Sequence, residues 1–133
     1  MSSGLYNKFK ANLMNKVVDL EGDTIIVALY DNSHAFTATD TDYTTTNELA
    51  TTGGYTQGDK ELASKAVTEA ATTKWDAADT AWTAATFTAY HAVIYDETAG
   101  DDLICSIDFG GAQSVSSGTF TIEWNANGLI TLA

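Results

Sequence analysis

The chain has 133 residues, of which 44% are hydrophobic, and a formal net charge of −12 at pH 7. This length fits one domain, residues 1–133, that can bury a core without disulfides or structural metals. All six basic residues are lysines. Because arginine makes most bidentate contacts to phosphate and guanine, this composition and the acidic field argue against nucleic-acid binding.

The N-terminal segment, residues 1–16, predicts one short amphipathic helix from about Gly4 to Asn15. Leu5, Phe9 and Leu13 recur at a spacing of four and form one apolar stripe, with Tyr6 beside them. The lysines of the segment lie near the opposite face: Lys8, Lys10 and Lys16. These polar interruptions are unlike a signal peptide, and no apolar run is long enough to span a bilayer. We therefore expect synthesis and folding in a cytoplasm and no membrane partner.

Two segments of opposite character follow. Residues 24–30 form a β-branched run that is apolar on both faces, which predicts a central strand. Residues 31–57 are dense in Thr, Asp, Gly and Asn, and they predict a long polar excursion with one short helical turn near Thr45 to Leu49.

Residues 63–95 predict further strands. Alanines in this stretch favour helix, but six threonines between Thr68 and Thr86 favour strand. Val67 and Trp75 are candidate core positions, and Trp82 precedes the apolar run that ends at Tyr95.

The last third, residues 87–132, predicts antiparallel strands joined by Gly and Asn turns. One strand places four apolar residues on one face by period-two alternation: Leu103, Cys105, Ile107 and Phe109. Cys105, the single cysteine, is therefore expected to be a buried free thiol. A second strand alternates Phe120, Ile122 and Trp124, which we expect to be buried together, and Asn127-Gly128 predicts a hairpin to residues 129–132.

These patterns predict a mainly β fold: a compact antiparallel β-sandwich or barrel-like domain with a short N-terminal α-helix. They leave the choice between sandwich and barrel open.

The sequence offers no cluster suited to catalysis. We expect His91, inside an apolar strand, to be a hydrogen-bonded structural histidine and His34 to lie on the surface. There is no nucleophile elbow and no P-loop spacing, so we expect no enzymatic activity and no cofactor. Acidic pairs at 40–42, 96–97 and 101–102 carry oxygen ligands of the kind that calcium takes, but they match no EF-hand, so we expect solvated loop acids and no metal.

The order of several sequence blocks resembles a family of small structural proteins of tailed bacteriophages. The blocks span nearly the whole chain and are, in order, Leu5-Tyr6-Asn7-Lys8-Phe9-Lys10, Val18-Asp19-Leu20, Asp23-Thr24-Ile25-Ile26-Val27-Ala28-Leu29, Gly54-Tyr55-Thr56, Ala84-Ala85-Thr86-Phe87-Thr88-Ala89, Ala92-Val93-Ile94-Tyr95, Ile107-Asp108-Phe109-Gly110 and Phe120-Thr121-Ile122-Glu123-Trp124-Asn125. The last three are the most specific. Two departures concern local surface contacts: residues 33–36 lack an expected proline, and Tyr90-His91 stands where arginine and an aromatic are usual.

The resemblance implies a non-enzymatic virion component, located at the capsid or head-tail region. Within the virion we expect a capsid decoration or cement protein that binds the major capsid protein or other virion subunits and forms a homo-oligomer on the particle. A neck or tail component is the alternative. A host-carbohydrate-binding module that uses Trp75, Trp82 or Tyr55 as stacking platforms is a third possibility.

The N-terminal stripe is the candidate partner-binding site: Leu5, Tyr6, Phe9 and Leu13. A short stripe at a chain end can close the domain's own core or anchor a neighbouring subunit, and both interpretations stay open. The concentration of half the lysines in the first sixteen residues of an acidic chain favours the anchor.

Overall fold

The computed structural model describes residues 3–133. Within this range the chain forms seven strands and one helix, in the order β1 (Gly4–Leu5), α1 (Asn7–Met14), β2 (Ile25–Tyr30), β3 (Ala66–Thr68), β4 (Thr73–Asp76), β5 (Thr80–Asp96), β6 (Asp102–Ile122) and β7 (Ile130–Leu132). The strands make two antiparallel sheets, with the orders β1-β6-β5-β2 and β3-β4-β7. The prediction of a mainly β fold with one short N-terminal helix is confirmed, and two separate sheets are consistent with a β-sandwich.

A long hairpin of β5 and β6 dominates the first sheet. The sequence predicted two separate strands around Gly110-Gly111, but β6 runs continuously from Asp102 to Ile122. The glycines fall in an irregular stretch of the pairing, between the pairs His91↔Asp108 and Ala89↔Gln113. Positive φ angles at both glycines let the strand bulge there without ending.

A second irregularity breaks the predicted alternation near the start of β6. The pairs Ile94↔Cys105 and Tyr95↔Leu103 leave Ile104 without an opposite residue. As a result Ile104 joins Cys105 in one core cluster, while Leu103 packs in a second cluster on the other side. A bulge of one residue exchanges the two faces of a strand, so the alternation of apolar and polar residues could not predict on which face Leu103 lies.

The strand β2 is last in its sheet, so the prediction of a central strand is wrong. It is nevertheless buried at all six positions, because the loops cover its free edge. The amide of Val27 donates to the carbonyl of Lys60 at 2.8 Å, and the amide of Leu49 donates to the carbonyl of Leu29 at 2.9 Å. A strand covered in this way has the apolar composition of a central strand.

The long excursion 31–57 holds no helix or strand, only isolated bridges. The short helical turn predicted near Thr45 to Leu49 is wrong. A single bond from the Glu48 amide to the Thr45 carbonyl, 3.1 Å long, closes a simple turn instead.

The C-terminal turn forms as predicted, but its partner differs. The Gly128 amide donates to the Asn125 carbonyl at 2.8 Å, with a Gly128 φ of 99°. The chain then pairs with β4, through the Leu129 amide and the Trp75 carbonyl at 2.7 Å, and not with β6. The predicted hairpin is therefore wrong, because an Asn-Gly turn determines local backbone angles and not the strand that pairs next.

The core prediction was partly right. Trp75 is 2% exposed, and Cys105 is a buried free thiol. Val67 is 43% exposed, so its placement in the core is wrong. The predicted burial of the C-terminal apolar face is only partly right, because its residues pack against the core but are half-buried: Phe120, Ile122 and Trp124.

The helix is shorter than predicted. Gly4 and Leu5, expected to be helical, form β1 and pair with Ser106 and Cys105 of β6. Inside the helix, Asn12 donates from Nδ2 to Asp102 Oδ2 at 2.7 Å, which ties α1 to the start of β6.

Candidate docking groove

An open groove of about 820 Å³ lies between α1 with its following loop and the three-stranded sheet. We call it the apolar groove. Most of its lining is hydrophobic, from the helix side and from the sheet side: Leu5, Phe9, Leu13, Met14, Val17, Val18, Leu20, Val67, Trp75, Ile130 and Leu132. The turn at Gly128 and the pairing of β7 with β4 bring the C-terminal strand to this groove.

The groove collects the exposed large hydrophobic side chains of residues 3–133. These are Met14, Leu132, Val17 and Val67, exposed by 90%, 58%, 48% and 43%. Every one of them lines the groove. Single exposed apolar residues are normal on a protein surface, but a contiguous group with polar edges marks a contact site.

Positive charge surrounds this apolar lining. Lys10, Lys16 and Lys74 line the groove, together with one acidic residue, Asp19. The whole chain has 18 acidic and 6 basic residues. Half of the lysines of a strongly acidic protein therefore line one groove, with Glu21 beside it, where its Oε2 accepts the Val67 amide at 3.1 Å. Three lysines against these two acids make the local charge opposite in sign to that of the molecule.

The structure divides the predicted partner-binding stripe. Leu5, Phe9 and Leu13 line the apolar groove. Tyr6 does not, since it is 1% exposed and packs edge-on against Phe36 with ring centroids 5.0 Å apart. Burial raises the pKa of the Tyr6 hydroxyl to about 12. Tyr6 and Phe9, which is 4% exposed, thus close the domain's own core.

Sequence reasoning missed the most exposed groove residues. Met14 and Val17 extend the apolar residues of the helix beyond Leu13, which was an available signal. No sequence signal showed that Val67 and Leu132 face them, because that proximity depends on β4 pairing with both β3 and β7.

The aromatic residues proposed as sugar platforms are inside the protein. Tyr55, Trp75 and Trp82 are each 2% exposed, and the Trp75 ring nitrogen donates to the Leu20 carbonyl at 2.9 Å. A stacking platform must present a ring face to solvent. The carbohydrate-binding interpretation built on these three rings is therefore wrong.

The two histidines lie together: His91 is buried inside β5, as expected of a structural histidine, but the predicted hydrogen bond is wrong, and so is the surface position predicted for His34. His91 is 1% exposed, and neither ring nitrogen has a hydrogen-bond partner among the described residues. His34 is half-buried, with Nε2 3.0 Å from Ser106 Oγ and its ring centroid 5.0 Å from that of His91. Burial lowers the pKa of both imidazoles. Because Ser106 is 1% exposed, a substrate cannot reach its hydroxyl, and the contact between Ser106 and His34 is structural.

One of the loop acids is not solvated as predicted. Asp96 is 1% exposed, and its Oδ1 accepts the Ala99 amide at 3.0 Å while Oδ2 has no hydrogen-bond donor among residues 3–133. Burial first, and then the neighbouring Asp23 carboxyl, raises the pKa of Asp96 to about 7. In the described part of the chain, no three His, Cys, Asp or Glu side chains are grouped to hold a metal ion.

No helix within residues 3–133 has the length and apolar character needed to cross a membrane. Comparisons of the chain with models of protein families, with curated proteins and with solved structures find no match.

Proposed function

We propose that the chain is a non-enzymatic structural component of a tailed-phage virion that attaches to other virion subunits through the apolar groove. The observation that carries the proposal is the convergence of Met14, Val17, Val67 and Leu132 on one groove. Residues 1–133 resemble small phage structural proteins in the order of their sequence blocks, and this resemblance supplies the virion context.

The energetics of the groove suit attachment. Full burial of one Val, Leu or Met side chain contributes about 1.5–3 kcal/mol, and four such side chains lie exposed here. The cost of association consumes part of this gain. Attachment through a preformed, mostly β scaffold needs little rearrangement of the chain, which keeps that cost low.

A capsid decoration or cement protein on the major capsid shell is the role that we favour. The net charge of −12 suits a protein displayed in many copies on a particle surface, because like charges keep such copies soluble and apart. A neck or tail component remains the alternative, since an apolar groove also serves assembly into a ring.

Counting the chain in purified particles of the phage that encodes it tests this function. Quantitative mass spectrometry against an isotope-labelled standard of the chain gives copies per particle. A count on the order of hundreds supports decoration of the shell, and on the order of a dozen or fewer supports a neck or tail position. Absence of the chain from purified particles would contradict the virion assignment.

A further inference from the structure

We propose that the apolar groove binds an apolar segment of a different protein that carries carboxylates on its flanks. The proposal rests on the proposed function in treating the groove as a docking surface, and it adds the chemistry of the occupant. Three features of the described residues support it: the exposed apolar side chains lie at the groove, three lysines line it, and the rest of the surface exposes no other large apolar side chain to the same degree.

A second copy of this chain is a poor occupant for two reasons. The large apolar side chains exposed on residues 3–133 all lie at the groove, so the rest of the described surface of a second copy offers only half-buried ones, such as Phe120 and Trp124, to fill it. Contact between the two grooves would bring Lys10, Lys16 and Lys74 of one copy towards the same lysines of the other. Like charges at such a contact oppose association.

The same lysines select the flanks of the partner segment. Lys10 lies in the middle of α1 and Lys16 just beyond its end, and both are exposed. Lys74 lies on β4 at the sheet side, where its Nζ donates to the Ala126 carbonyl at 3.0 Å. Positive charge is therefore present on both walls of the groove. A segment with Asp or Glu on each side of an apolar centre is complementary to both walls, whereas a basic segment is repelled.

The contact combines these two contributions. The apolar centre of the segment covers Met14 and Leu132, which supplies most of the affinity. The carboxylates near Lys10 and Lys16 speed association and reject basic segments, and their contribution weakens as salt is added.

Selection from a random peptide display library on the purified full chain tests the proposal without using the virion. We expect enriched peptides with an apolar centre and acidic flanks. Binding of a synthetic enriched peptide should fall about tenfold or more in the Met14→Glu and Leu132→Glu variants. It should fall in the double variant Lys10→Glu with Lys16→Glu, and peptides with Lys in place of their acidic residues should not bind.

Matched controls on the same helix separate the groove from general effects of charge. Ala11→Glu places the same new carboxylate on an exposed helix position outside the groove lining, and Lys8→Glu reverses a helix charge outside it. Both should bind the enriched peptide like the unchanged chain. Thermal unfolding of each variant verifies that it is folded, and Met14→Glu alone, at a side chain 90% exposed, is sufficient if Leu132→Glu is unstable.

Several outcomes would overturn the proposal. One is an enriched peptide consensus that is neutral or basic, and another is a consensus peptide that binds the folded Met14→Glu variant as well as the unchanged chain. A third is that selection on the unchanged chain enriches no more peptides than selection on Met14→Glu. A fourth is that sedimentation shows concentration-dependent dimers that Met14→Glu abolishes. Flotation with phosphatidylglycerol vesicles should leave the chain unbound, and flotation that depends on Met14 would assign the groove to anionic lipid instead. Particle counting decides the virion function separately, so either proposal can fail alone.

Discussion

The Tyr55 hydroxyl donates a hydrogen bond to Glu48 Oε2 and accepts one from the Leu29 amide at 2.9 Å. This side chain adds to the backbone bonds by which the polar excursion covers the free edge of β2. Tyr43 donates to the other carboxylate oxygen of Glu48. Burial raises the pKa of Glu48, and the two phenol donors offset part of that effect.

Tyr55→Phe should destabilise the fold by about 1–3 kcal/mol, because it removes a donor from a buried carboxylate and an acceptor from a buried amide. Urea unfolding followed by tryptophan fluorescence measures the change. Tyr90→Phe is the matched control. Tyr90 is half-buried, and its hydroxyl makes no hydrogen bond within residues 3–133. Equal stability of the two variants would show that the contact of Tyr55 with Glu48 contributes nothing.

Gly53 is required by its surroundings as well as by its backbone angle. Its φ is +61°, and a Cβ at this position would lie 2.2 Å from the Thr86 carbonyl oxygen. Gly53→Ala should therefore cost about 3 kcal/mol or more, measured as a loss in the free energy of unfolding. Gly100→Ala is the control: its φ is +81° with open space around the position, so only the cost of the left-handed backbone, about 1–2 kcal/mol, applies. Similar losses in both variants would refute the steric argument.

The tryptophans should differ in their contribution to stability. Trp82 is 2% exposed and packs against Tyr55, Phe87 and Phe120, with ring centroids 5.8–6.4 Å away. Trp82→Ala should cost about 3–5 kcal/mol. Trp124→Ala should lower the free energy of unfolding by less than about 2 kcal/mol, because Trp124 is half-buried and folding removes less of its surface from water. A larger loss at Trp124 than at Trp82 in chemical denaturation would contradict this ranking.

Asp96 should make stability depend on pH. Its pKa in the folded state, about 7, is above its ordinary value of 3.8. The folded state therefore holds the proton more tightly, and this stabilisation is complete below about pH 4 and is lost as pH rises to about 7. Asp96→Asn keeps a neutral side chain at every pH. Relative to the unchanged chain, its free energy of unfolding should rise by about 2–3 kcal/mol between about pH 5 and pH 8.

Urea unfolding at the two pH values measures the relative gain of Asp96→Asn. Glu97→Gln, at the exposed neighbouring position, is the control and should show a smaller change. If the difference in free energy of unfolding between Asp96→Asn and the unchanged chain stays constant with pH, Asp96 does not take up a proton in this pH range.

Local patterns predicted the elements, and non-local pairing decided their neighbours. The alternation from Cys105 to Phe109 and the polar character of residues 31–57 depend on nearby residues, so the sequence revealed both. The bulge at Ile104 depends on register with β5, which no alternation reports.

The same distinction explains the candidate site. The helix stripe predicted three groove residues: Leu5, Phe9 and Leu13. Tyr6 was misplaced because β1 pairs with β6 and turns that side chain inward, beside Phe36. The far wall, with Val67 and Leu132, exists only after β3 and β7 have paired with β4, and the pairing of β7 with β4 joins parts of the chain more than fifty residues apart.

Reattachment to particles that lack the chain tests the central claim most directly. Purified chain is added to particles made without it, and bound copies are counted after sedimentation. We predict saturable binding of the unchanged chain and of Ala11→Glu, and a loss of about tenfold or more in affinity for Met14→Glu. Equal binding by a folded Met14→Glu variant would contradict attachment through the apolar groove, and no binding by the unchanged chain would contradict the structural role.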